Sequence, residues 1–270
     1  MTLIEFLLFV AVGCGVGFLA GLFGIGGGFI MVPILILSYE HSGISSSVLT
    51  HSAIGTSLFV IIFASLTSAY QHRKQGSVDW RAVLIIGFSS ALTAFITAQL
   101  AAGLRGKDLQ VAFVVIVMVA AIRMLTEGQA KVQAKLDGMS KPSSKGLMVV
   151  GLTTGVVSAL AGIGGGIFFI SMMYHFLKMP LKRAIGTSSA AIVITAFFSV
   201  IGYILSGWGR PGLPEWSLGF VDLQRGLALA IGSLLLARAG AYVSFKAHPY
   251  RLRKFFVLFI ILISIYILVT

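Results

Sequence analysis

The stretch AGLFGIGGGFIMVPIL, Ala20 to Leu35, decides the fold. It lies inside an apolar run that would otherwise make an ordinary membrane helix, yet Gly24, Gly26, Gly27 and Gly28 fall close together within it. Each glycine in a helix interior costs up to about 1 kcal/mol against alanine, so a cluster of them ends the helix. Non-helical backbone at membrane depth must be buried in protein or line a polar cavity, because no water is present to satisfy its amides. The stretch therefore predicts a broken or re-entrant helix, interrupted at Gly24, with Pro33 adding to the break because it cannot donate a backbone hydrogen bond.

The surrounding chain is 57% hydrophobic and 10% charged over 270 residues, with mean hydropathy +1.00. A soluble domain of this size cannot hide so much apolar side chain. Apolar runs over 3–37, 48–70, 82–100, 109–125, 147–177, 184–205, 223–245 and 255–269 predict an all-α polytopic membrane protein, with about eight full spans and two half-helices. The first run carries Glu5 in place of a basic leader, which favours a retained span over a cleaved signal peptide. The single cysteine, Cys14, excludes an intrachain disulfide and any CxxC site. The net charge of +12 sits in short clusters between apolar runs, the pattern of topology-setting lysine and arginine rather than of a nucleic-acid surface.

The chain repeats itself. GCGVGFLAGLFGIGGGFIMV from Gly13 aligns without gaps to GLTTGVVSALAGIGGGIFFI from Gly151, and AIGTS recurs at Ala53 to Ser57 and Ala184 to Ser188. A weaker pair is GSVDW from Gly76 and GFVDL from Gly219. Three matches in one order divide the chain into a first repeat, 1–126, a polar linker, 127–145, and a second repeat, 146–270. Such duplications are the usual construction of secondary transporters. If each glycine cluster is a turning point, most of the basic residues collect on one side. These are Arg73, Lys74, Arg81, Arg123, the linker lysines, Lys178, Lys182, Arg183, Lys246, Arg251, Arg253 and Lys254. Arg105, Lys107, Arg210 and Arg225 remain opposite. The positive-inside rule then puts the linker in the cytoplasm and both termini outside, and makes the two repeats inverted in an inner or plasma membrane.

A helix that begins at Gly28 presents unpaired N–H groups and the positive end of its dipole. In the inverted arrangement the second cluster, broken at Gly162, brings another helix start from the opposite leaflet. Gly26, Gly27 and Gly28 with Gly164, Gly165 and Gly166 are thus expected to form a backbone site for a small anion. Gly13, Gly17 and Gly21, spaced for one helix face, read as helix packing. Phe29 stands where a dinucleotide loop needs its third glycine, and no GK[ST] follows, so a nucleotide loop does not fit.

Thr56, Ser57, Thr187 and Ser188 offer hydroxyls to an oxyanion, Thr56 at about 12 Å into its span, although such side chains also bond back to helix carbonyls. Arg238 is an arginine within a span, placed either to supply a fixed positive charge or to snorkel to the surface. Asp79 and Asp222 precede apolar runs and read as helix N-caps. His51 and His175 are candidates for proton relay or for structural hydrogen bonds. No carboxylate pair or His/Cys cluster with ligand spacing occurs, so neither catalysis, a metal nor a cofactor is expected.

At GLFGIGGGFIMVPIL, its echo ALAGIGGGIFFISMM and the paired AIGTS, the sequence resembles the TauE/SafE family of membrane permeases, the sulfite exporter family. The resemblance covers essentially the whole chain. It implies export of sulfite, sulfoacetate or related organosulfonates across the inner membrane, and it carries over to Gly26, Gly27, Gly28 and Pro33, and to Gly164, Gly165 and Gly166. Ser171 stands where the first half has Pro33, so the two elements need not contribute equally. The alternatives are a carrier of small carboxylate anions, a channel or accessory subunit of another membrane complex, and a membrane-embedded enzyme. Exposed small-residue stripes also permit a homodimer.

Overall fold

A computed structural model describes residues 2–23, 26–126 and 142–243. Among these residues it contains nine helices: α1 (Leu3–Phe23), α2 (Gly28–His41), α3 (Ser46–Lys74), α4 (Trp80–Ala101), α5 (Gly106–Thr126), α6 (Ser144–Ala161), α7 (Gly166–His175), α8 (Leu181–Gly207) and α9 (Leu223–Val243). A two-residue antiparallel ribbon, β1 (Ser217–Leu218) and β2 (Val221–Asp222), precedes α9. Six helices, α1, α3, α4, α6, α8 and α9, are long and apolar enough to cross a membrane, whereas α2 and α7 are apolar but only 14 and 10 residues long. Gly24, most of the linker and the run expected at 255–269 lie outside the described residues.

The glycine clusters end one helix and start another, as the sequence predicts. Gly26 and Gly27 both sit at φ 82°, Gly164 and Gly165 at 72° and 78°, and Gly162, the C-cap of α6, at 64°. This left-handed region costs other residues about 1–2 kcal/mol each, which is why glycines hold both turns. Pro33 does not act as expected. It lies inside α2, buried, and the helix runs through it from Gly28 to His41. As the sixth residue of α2 it lies past the first turn and forfeits its own i→i−4 bond, yet the helix continues through it.

Asp79 and Asp222 are the N-caps the sequence indicates. Asp79 Oδ1 accepts from the Ala82 amide at 3.1 Å, and Asp222 Oδ1 accepts from the amides of Gln224 and Arg225 at 2.9 and 3.1 Å.

Small residues set the helix directions. A Cβ on Gly13, Gly17 or Gly21 would lie 2.3, 2.4 or 2.0 Å from backbone atoms of Leu229, Ser233 and Ala237 respectively. Those partners rise together along the chain, so α1 and α9 run parallel with backbones in contact. Gly151 and Gly155 press on Ile86 and Ser90 in the same way, which makes α6 parallel to α4. Helix α8 also runs with α4, since Gly87 meets Ile194 and Gly202 meets Ala98. Helices α3 and α8 cross in opposite senses: Ser68 bonds Ser189 at 3.1 Å, while the earlier Ile61 sits with the later Ile192 around Gly164. Thus α1, α3 and α9 point one way, and α4, α6 and α8 the other.

Helix α3 is the central post. In its most apolar window 78% of residues are buried inside the protein, against 22% for α1 at the periphery. Its faces carry Ile54, Leu58 and Ile61, packed with Phe29, Met31 and Leu35 of α2 and with Phe169 of α7 in one core. The α4–α5 turn closes on the start of α3, where a Cβ on Gly106 would meet the Ser46 carbonyl at 2.8 Å. This end of the molecule carries Arg105, Lys107, Arg210 and Arg225. At the opposite end Arg81 Nη2 donates to Ser144 Oγ at 2.8 Å, and the helix ends there also carry Arg73, Lys74, Lys145, Lys178, Lys182 and Arg183.

Candidate functional site where two helix starts meet

The two glycine turns touch halfway along α3. A Cβ on Gly28 would lie 2.2 Å from the Gly162 carbonyl oxygen and 2.7 Å from the Ile163 Cα, and one on Gly26 would lie 3.3 Å from the Ile163 oxygen. Ile61 reaches both turns, against Gly26 and Gly28 on one side and Gly164 on the other. It stands fifteen residues past Ser46 and thirteen short of Lys74 in a helix about 43 Å long. All of Gly26 to Gly28 and Gly162 to Gly166 are buried.

Each turn folds the chain back on the helix it leaves. Gly27 lies against Val16 and Ala20 of α1, and Gly165 against the Thr154 carbonyl of α6. Helix α2 then descends antiparallel to α3, with Gly28 beside Ile61 and the Tyr39 hydroxyl 3.2 Å from Thr56 Oγ1. Helix α7 likewise opposes α8, with Gly166 near Ser188 and Gly164 near Ile192. Because α3 and α8 oppose each other, α2 and α7 start at the same place and leave in opposite directions. Two positive dipole ends therefore converge among isoleucine side chains, where a low local dielectric strengthens their field. A convergence of helix N-termini is the kind of backbone arrangement that suits an anion.

The AIGTS hydroxyls hold this backbone in place. Ser57 Oγ donates to the Gly162 carbonyl at 2.8 Å and Ser188 Oγ to the Gly166 carbonyl at 3.4 Å, so both are turned toward the glycine breaks. Thr56 Oγ1 accepts from the Asp222 amide at 2.9 Å, and Thr187 Oγ1 accepts from the Asp79 amide at 3.0 Å. In each case a threonine of one half grips the aspartate cap of the other. The four are fully buried and act here as positioning groups, not as donors aimed at solute.

Arg238 is not part of the junction. It lies exposed on α9, off the face formed by Gly226, Ser233, Ala237 and Gly240, away from the glycine turns. His51 and His175 lie at opposite ends of the molecule. His51 is buried in the second turn of α3, with Nε2 3.2 Å from the Ala101 carbonyl and its ring stacked on Phe220 at 5.0 Å. His175 ends α7, in edge contact with Tyr174.

Sequence reasoning missed a polar cluster at the C-terminal end of α2. Arg225 donates from Nη1 to Asp222 Oδ2 at 2.9 Å, from Nε to Ser38 Oγ at 2.9 Å and from Nη2 to Ser42 Oγ at 2.7 Å, and lies 4.9 Å over the Tyr39 ring. Its detectable signal was the asymmetry of the repeat: the spacing that takes Asp79 to Asp222 takes Ala82 to Arg225. Among the described residues no group of three His, Cys, Asp or Glu side chains could hold a metal ion.

A family model described as sulfite exporter TauE/SafE matches residues 9–267. The chain is 33% identical over 259 residues to a probable membrane transporter protein of Haemophilus influenzae, covering 96% of both chains. It is 31% identical over 254 residues to one of Methanocaldococcus jannaschii, covering 92% of this chain and 91% of the other. A third, YdhB of Bacillus subtilis, is 27% identical over 238 residues and 85% of each chain. No solved structure matches.

Proposed function

The chain belongs to the sulfite exporter TauE/SafE family of membrane transporters, and from that membership we propose that it exports a small sulfur-containing oxyanion, such as sulfite or an organosulfonate, by alternating access. The observation that carries this reading is the meeting of the α2 and α7 N-termini halfway along α3, which offers a solute with negative charge a favourable position along the path.

The halves are inverted repeats in this reading. In support, α1, α3 and α4 of the first half correspond to α6, α8 and α9 of the second, and each pair runs in opposite directions. The reciprocal grips of Thr56 on Asp222 and Thr187 on Asp79 are what a two-fold relation between halves requires. Lysine and arginine crowd the end bearing Arg81 and Lys178, which makes that end cytoplasmic and sets the N-terminus outside in the cell membrane. The central polar segment is then a cytoplasmic linker between two transmembrane repeats. Alternating access follows if one half rocks against the other about the shared junction on α3. The chain needs no metal or cofactor for this, and no catalytic step is part of it.

The test is counterflow in proteoliposomes of the purified protein, with a panel of sulfite, sulfoacetate, sulfate, taurine and acetate. Saturable flux of sulfite or sulfoacetate, each competing with the other, is expected, with zwitterionic taurine a poor substrate. Flux of acetate alone would make the protein a carboxylate carrier, and flux no greater than in protein-free vesicles would refute the reading.

A further inference from the structure

Arg225 is the one described arginine whose guanidinium is held, largely buried, by side chains at the ends of two helices: the Asp222 cap before α9, Ser38 within α2 and Ser42 at its end. Its side chain is 14% exposed, and its partner Asp222 is fully buried. The two serines occupy one edge of the fork, Nε and Nη2. That planar edge is the one that receives two oxygens of a carboxylate, sulfonate or sulfite in parallel hydrogen bonds. The serine hydroxyl oxygens thus stand in for the oxygens of an oxyanion. Asp222 meanwhile holds Nη1 and, through its two amide bonds, stays fixed to the start of α9.

Ser38 lies in α2, the short helix that the glycine turn frees from α1, and Ser42 caps its end, whereas Arg225 lies in α9 and Asp222 caps its start. Movement of α2 away from α9 uncovers the Nε and Nη2 edge and leaves the Asp222 contact intact. The repeat offers no counterpart at the other end: the spacing that relates the glycine clusters takes Ser38 to Phe176 and Ser42 to Pro180. The device is therefore one-sided.

We infer that the Nε and Nη2 edge of Arg225 is an oxyanion site at the outer mouth, closed in this structure by Ser38 and Ser42, so that anion binding there and docking of α2 exclude each other. The inference rests on the transporter reading and gives it a direction. An anion arriving from the central junction takes the edge as α2 lifts, and return of the serines expels it outward.

The experiment is calorimetric titration of the full-length protein in detergent with sulfite and with sulfoacetate, comparing wild type, Arg225→Lys and the double variant Ser38→Ala/Ser42→Ala. Lysine keeps the charge and loses the fork, so Arg225→Lys is expected to weaken binding by about tenfold or more. The serine variant removes the competing hydroxyls without touching the charge, and its affinity should rise several-fold. Should Arg225→Lys misfold, the serine variant decides alone. Unchanged affinity in the serine variant overturns the inference, as does unchanged affinity in a folded Arg225→Lys. Wild-type counterflow, measured separately, distinguishes the two failures: flux without these affinity changes sinks only the Arg225 site, whereas binding changes without flux sink the transporter reading.

Discussion

Gly28→Ala abolishes sulfite counterflow and lowers the melting temperature of the purified protein; this is the expected result with the largest effect. The added Cβ would meet the Gly162 carbonyl oxygen at 2.2 Å and the Ile163 Cα at 2.7 Å. Both obstacles are backbone, so no rotamer change relieves them, and the two turns must separate. Overpacking of this kind costs about 1–3 kcal/mol in stability. The loss of flux should be larger than the loss of stability, since the junction proposed to attract the anion is itself pushed apart. Gly27→Ala and Gly165→Ala are expected to be milder in packing, because the nearest obstacle to Gly27 is the tip of Val16 and that to Gly165 is the Phe169 ring at 3.1 Å. Their cost lies in φ values of 82° and 78°, about 1–2 kcal/mol each. Gly103→Ala, whose Cβ would meet nothing closer than 3.4 Å, serves as the control. Wild-type flux in Gly28→Ala would mean that the turns do not meet in the working protein.

The second large effect is expected at the threonines. Thr56→Val and Thr187→Val keep shape and remove the acceptor, leaving the Asp222 or Asp79 amide without its bond. An unsatisfied buried donor costs about 1–3 kcal/mol. Thr56→Val should be the more damaging, because Thr56 also meets the Tyr39 hydroxyl, and through Tyr39 the end of α2 that packs under Arg225. The two sites lie at opposite ends of the molecule and share no partner, so their effects should add in the double variant. Thermal unfolding in detergent measures this. Equal, negligible shifts for both would show that the grips between halves are incidental.

Much of this was legible in the chain itself because the decisive effects are local. Consecutive glycines break a helix wherever they fall, aspartate before an apolar run caps it, and Gly13, Gly17 and Gly21 fall on one helical face without reference to any partner. The repeat was legible as identity. The hydroxyls of AIGTS were not, since whether Ser57 points at a solute or at the Gly162 carbonyl, 105 residues away in sequence, depends on packing alone. Arg225 escaped for the same reason, its serine partners lying 187 and 183 residues earlier. The phase of Arg238 on its helix chose between the two placements the sequence left open. Gly226, Ser233, Ala237 and Gly240 mark the packed face of α9, and a residue directly after Ala237 is turned about 100° away from it at 3.6 residues per turn.

The central claim is that two halves, set oppositely in the bilayer, bring their glycine turns together at mid-depth. The most direct measurement is thiol labelling in intact cells with a membrane-impermeant reagent, in a Cys14→Ser background, at the ends of the two short helices. Glu40→Cys, at the end of α2, should label from outside, and Lys178→Cys, just past α7, only after the membrane is permeabilised. Labelling of both positions from the same face would contradict it.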